Sequence, residues 1–60
     1  MAVLHHYYYD NVNDVRWYVE SYEMSTTEFA RRVSKLVGYE VRSKDISEGD
    51  ASKFRNARHI

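Results

Sequence analysis

Sixty residues with 43% hydrophobic side chains, no cysteine and no proline describe one small globular domain, near the lower limit of what folds alone. That size excludes a deep enzyme cleft built without a partner chain, and the missing cysteines exclude disulfides and thiolate metal sites. Nine basic and nine acidic side chains cancel to zero net charge, yet the halves differ: residues 1–30 carry Arg16 against Asp10, Asp14, Glu20, Glu23 and Glu28, while residues 31–60 carry eight basic and four acidic side chains, or −4 against +4.

Met1–Leu4 is too short for a signal peptide, and no apolar run reaches membrane length. A cytoplasmic protein is expected, with no membrane partner. Met1–Asn11 contains His5-His6 and three consecutive tyrosines, Tyr7, Tyr8 and Tyr9. It reads either as a short β-strand, which aromatics favour, or as an arm over the core. Adjacent histidines on a strand point to opposite sides and no third ligand sits at useful spacing, so no metal site is expected. The tyrosines suit packing or a dimer contact better than base stacking.

Asn13 is placed as the N-cap of a first helix through Glu23, with Asp14 in its first turn. Val12, Val15, Val19 and Tyr22 follow helical spacing, flanked by Trp17 and Tyr18. Ser25-Thr26-Thr27-Glu28 then forms a capping box, opening a second helix to about Val37. Phe29, Ala30, Val33, Leu36 and Val37 make its apolar face, and Gly38 fits the position after its end, where positive φ is cheap only for glycine. Val41 anchors a connector. Ser43 caps a third helix with Ile46 inward, and Gly49 ends it. Asp50 opens a last turn with Ala51, Phe54 and Ala57 at three-residue spacing. The expected fold is all-α, with three to four short helices in one domain over 1–60: a possible β-arm at 1–11, a helical core at 12–57 and a tail at 58–60.

Met24-Ser25 followed by Glu28-Phe29-Ala30-Arg31-Arg32-Val33 resembles the lambda-repressor and Cro-type helix-turn-helix family. That family reads as an amphipathic helix, an apolar residue and serine, a short spacer, then Glu-Leu-Ala-Arg-Arg-Leu. Ile46-Ser47 is similar to its apolar-serine pair in the recognition helix. The resemblance spans Val15–Ser47, about half the chain. Ser34 stands where the family has glycine, Thr26 where it has glutamine, and Ile46 falls sixteen residues after Ala30 rather than about ten, a long-turn variant.

The resemblance implies a helix-turn-helix regulator of phage or mobile-element type that binds a double-stranded DNA operator, as a homodimer at least on DNA. A recognition helix starting near Ser43 would place Arg42, Ser43, Lys44 and Ser47 at base edges in the major groove. Thr26, Arg31, Arg32, Lys35, Arg55 and Arg58 would hold phosphates. Tyr7, Tyr8, Tyr9 and Phe54 are the dimer-interface candidates. No phosphate loop, nucleophile or His–carboxylate pair points to catalysis, so no enzyme activity, cofactor, metal or small-molecule substrate is expected. The competing reading is a small helical interaction module or host-protein inhibitor using the acidic, tyrosine-rich N-terminal half.

Overall fold

The structure, a computed structural model, describes residues 4–50 and 56–60. Its first two elements are strands, β1 (His5–Asp10) and β2 (Val15–Glu20), paired antiparallel in unbroken register from His5↔Glu20 to Asp10↔Val15. The segment expected as a first helix is therefore β2. Val15 and Val19 are four residues apart, a spacing that satisfies both a helical stripe and a strand's two-residue repeat. Trp17 breaks the tie: it shares a strand face with both valines, whereas a helix would turn it aside. Val12 and Tyr22, the outer members of the expected helical stripe, are 74% and 71% exposed.

The hairpin turn explains why the chain reverses. Buried Asp10 accepts hydrogen bonds from the Val12 amide at 3.1 Å, the Asn13 amide at 3.3 Å and Asn13 Nδ2 at 2.7 Å. Asp14 takes φ 55°, a left-handed conformation that Asp tolerates better than most residues. Asn13 is thus a turn residue rather than a helix cap. The Asn/Asp cluster between two aromatic and β-branched runs is the hairpin signal.

The second expected element is confirmed as helix α1 (Thr26–Val37). Ser25 accepts from the Glu28 amide at 3.2 Å. Gly38 closes the helix at φ 87°, its N–H bonded to Ser34 O. The Glu28 carboxylate, expected to return to the cap, pairs instead with Arg32 and Arg31. Phe29, Ala30 and Val33 are buried, and with Val19 and Val41 they form the core. Leu36, expected inward, is 52% exposed.

No third α-helix follows among the described residues. Ser43–Asp45 makes a single 3₁₀ turn, and the chain then becomes β3 (Ser47–Gly49) and β4 (Arg58–His59). The Arg42 amide donates to the Asp45 carboxylate at 3.1 Å. Ile46 is extended at φ −82°, ψ 132° and packs on the core, so burial of this one side chain is achieved without a helix. The last turn expected over Asp50–Ala57 falls mostly on residues 51–55, outside the described set. The expected tail is β4, and Ile60 N bonds Tyr18 O at 3.0 Å.

The result is a four-stranded sheet in the order β3-β1-β2-β4, antiparallel except for the parallel β2–β4 pair, with α1 against one face. The all-α expectation is overturned: the fold is mixed α/β. The Tyr7–Tyr9 segment is not an arm but part of β1, a central strand.

Candidate functional site

The clearest concavity lies along one flank of α1. Glu28, Arg31, Arg32, Lys35 and Leu36 follow the spacing i, i+3, i+4, i+7, i+8, which lines them up on a single helical face. This stripe sits beside the core stripe of Phe29, Ala30, Val33 and Val37. It forms one wall of a groove of about 460 Å³. Trp17 from β2 and His59 and Ile60 at the β4 edge complete its lining.

The groove is basic. Arg31, Arg32 and Lys35 line it, with Glu28 as the single acidic side chain of the lining among the described residues. Glu28 receives Arg32 Nε at 3.2 Å and Arg31 Nη1 at 3.6 Å. These exposed i,i+4 and i,i+3 pairs contribute only a few tenths of a kcal/mol each. Their effect is to hold two guanidiniums over the groove while leaving donors unspent. Arg58 adds a fourth cation nearby, 5.6 Å from the Trp17 ring centroid, within cation–π range. His59, also in the lining, is engaged by its neighbours: its Nε2 meets Glu23 at 3.2 Å, and its ring stands edge-on to Tyr18 at 4.9 Å.

The groove also has an apolar component. Trp17, Leu36 and Ile60 share its lining with the cations. The indole Nε1 of Trp17 is buried without a hydrogen-bond partner, a cost that a purely structural aromatic such as phenylalanine would not carry.

Of the side chains predicted to hold phosphates, the fold gathers Arg31, Arg32, Lys35 and Arg58 around this groove. Thr26 is directed elsewhere, its hydroxyl 3.1 Å from His6 Nε2. Arg55 lies outside the described residues. The predicted base-reading set is not gathered on a helix start. Arg42, Ser43 and Lys44 sit on the 3₁₀ turn and Ser47 on β3, at the sheet edge opposite β4. Arg42 Nε is 3.8 Å from Glu40. With one α-helix among the described residues, the two packed helices of a helix-turn-helix are not formed.

The predicted dimer residues are largely spent within the domain. The Tyr8 hydroxyl is 3.0 Å from that of Tyr39, which donates to Asp10 at 2.7 Å. Tyr9 donates to Asp14 at 2.7 Å, and its ring lies 5.0 Å from Arg16. Tyr7 is half-buried opposite Tyr18, and Phe54 lies outside the described residues. Buried His6 faces Thr26 on one side and Glu48, at 3.9 Å, on the other. No cluster of three or more metal-ligating side chains occurs among the described residues, and none of their helices is long and apolar enough to cross a membrane.

Burial alone would raise the Asp10 pKa. The bonds from Asn13, Tyr39 and the Val12 amide outweigh it and hold the carboxyl below its ordinary value. Tyr39 is pushed the other way, first by the Tyr8 hydroxyl and then by Asp10. This polar cluster fixes the hairpin turn to the connector after α1, and it is structural.

Sequence reasoning named Arg31, Arg32, Lys35 and Arg58 but missed Trp17, Leu36 and Ile60. The stripe 28, 31, 32, 35, 36 was available as a second periodicity on the helix. The contributions of Trp17 and Ile60 arise only from strand pairing. Comparison with protein-family models, curated proteins and solved structures finds no match to the chain.

Proposed function

We propose that this protein binds nucleic acid through the basic groove between α1 and the β4 edge. The observation that carries the reading is the convergence of Arg31, Arg32 and Lys35 on one groove wall, with Arg58 beside it and one acidic side chain, Glu28, in the lining. Zero net charge does not oppose it, because screening at physiological salt limits each charge to about 8 Å. A phosphate chain therefore responds to the local basic face rather than to the acidic half of the molecule.

Reading a DNA operator with a helix from Ser43 is not carried forward, since that helix does not form. Backbone phosphates become the primary contacts, and affinity should be strongly salt-dependent. The lack of cysteine is compatible with work in a reducing cytoplasm.

The test is fluorescence anisotropy with labelled oligonucleotides at several salt concentrations. The wild-type chain is compared with Arg31→Ala/Arg32→Ala/Lys35→Ala and with Arg42→Ala/Lys44→Ala. The triple variant is expected to lose at least about tenfold in affinity and to flatten the log–log salt dependence by about 2, given roughly 0.7–0.9 per phosphate contact. The double variant should bind nearly as the wild type does. Binding lost in the double variant but kept in the triple one would move the site to the 3₁₀ turn. No binding by the wild type would end the proposal.

A further inference from the structure

We infer that the groove is shaped for an unpaired nucleotide of a single strand, with its base against Trp17, Leu36 and Ile60 and its phosphates on Arg31, Arg32 and Lys35. This rests on the nucleic-acid reading above and specifies its substrate class.

The inference begins with the mixture of side chains. A surface for phosphate alone needs cations and no aromatic floor. Here three apolar side chains share one concavity with three cations. Leu36 is kept half out of the core, on the groove stripe rather than the core stripe. Polar phosphate gains nothing from contact with an indole, a leucine and an isoleucine. A nucleobase does, because every base presents a flat apolar face that stacks on aromatics whatever its sequence.

The shape supports the same class. Duplex readers project a helix or ribbon into a groove of the nucleic acid. This site is concave, and its aromatic shares the lining with arginine and lysine. A paired base within a duplex has both faces covered by its stacked neighbours and offers none to such a site. A base in a single strand can leave its neighbours and enter. The volume of about 460 Å³ falls in the range of small-ligand pockets, ~300–1,000 Å³, and so accommodates a nucleotide unit rather than a helix.

The polar arrangement agrees. Arg31 and Arg32 are held from one side by Glu28, which leaves guanidinium donors for a phosphate passing along the helix flank. Arg58 lies over Trp17 from outside the groove lining. Its guanidinium is within cation–π range of the indole.

Trp17 is the only tryptophan in the chain, so its emission reports directly on the groove. The full-length protein is titrated with oligo(dT), oligo(rU), an abasic strand of the same length, a duplex and heparin. Single strands bearing bases should change Trp17 emission and bind roughly tenfold or more tighter than the abasic strand, the scale of one stacked base. Duplex and heparin should behave like the abasic strand. Either the DNA or the RNA arm supports the inference, and their ratio identifies the sugar preferred.

Leu36→Ala, at an exposed position, should narrow the gap between base-bearing and abasic strands severalfold. Equal binding of abasic, duplex and base-bearing ligands, with no change in Trp17 emission, overturns the inference and leaves the general polyanion reading intact. Absence of binding to every one of these polymers removes both.

Discussion

The two flanks of α1 are finished in opposite ways. On one side the chain returns at once after Gly38 and seals the helix. Val41 is buried, and its amide donates to Ser34 Oγ at 2.8 Å. Ser34 Oγ lies within donating reach of Ala30 O at 2.7 Å, and Tyr39 continues the contact to Asp10 in the hairpin turn. On the other side the helix faces β4 across an open groove lined with cations. Both flanks belong to one helix with one core stripe. The difference is that the closed flank buries its polar groups in internal hydrogen bonds, whereas the open flank leaves Arg31, Arg32 and Lys35 exposed to solvent.

That contrast can be broken at several points. Phe29→Ala removes the largest fully buried side chain, which both flanks share. A loss of about 3–5 kcal/mol is expected, comparable with the whole stability of so small a domain. Circular dichroism should show a largely unfolded chain at room temperature, and a cooperative melt near that of the wild type would contradict the assigned core.

Ser34→Ala attacks the closed flank alone. It leaves the Val41 amide without its acceptor, at a cost of about 1–3 kcal/mol, to be read as a lower denaturation midpoint. Binding measured on the folded population should be unchanged, since Ser34 faces away from the groove. A binding defect as large as the stability defect would show that the flanks are coupled.

The hairpin turn tied to the closed flank gives a pH signature. Because the folded Asp10 pKa is depressed below its ordinary 3.8, its contribution is present above that value. It is lost as pH falls through the lower, folded pKa. Stability should therefore decline on the acid side below about pH 4. Tyr39→Phe removes one of the bonds that depress it, so the folded pKa moves back toward the ordinary value and the acid-side loss should become smaller in a series of denaturant melts. An acid limb identical in both proteins would remove Tyr39 from this role.

Ser25→Ala tests the cap that starts both flanks, with an expected loss of about 1 kcal/mol. The smallest stability change belongs to Arg31→Ala/Arg32→Ala/Lys35→Ala. It should stay within about 1 kcal/mol, because the pairs with Glu28 are exposed, even though nucleic-acid affinity falls. A large stability loss here would mean that the open flank is a structural element rather than a binding surface.

How much of this was legible before folding depended on the range of the interactions. α1 was readable residue by residue, because Ser25, Glu28 and Gly38 act within a turn or two of themselves. The hairpin was readable in principle from the Asn/Asp cluster at 10–14, but Val15 and Val19 admit both periods. Only pairing with β1, which puts Trp17 opposite Tyr8 and Val19 opposite His6, selects the strand. Ser43–Asp45 carried a capping residue and one apolar follower, too little to sustain a helix.

The sequence by itself determined the bounds of helix α1, its apolar stripe apart from Leu36, and the basic side chains Arg31, Arg32, Lys35 and Arg58. Only the tertiary structure decided that Arg31, Arg32 and Lys35 share a groove with Trp17, with Arg58 over its ring. Strand order β3-β1-β2-β4 brings residue 17 beside residue 58, a juxtaposition set by sheet pairing across the chain and by no local pattern. For the same reason the base-reading set around Ser43 dissolved: its grouping required a third helix, and burial of Ile46 was met by an extended chain instead.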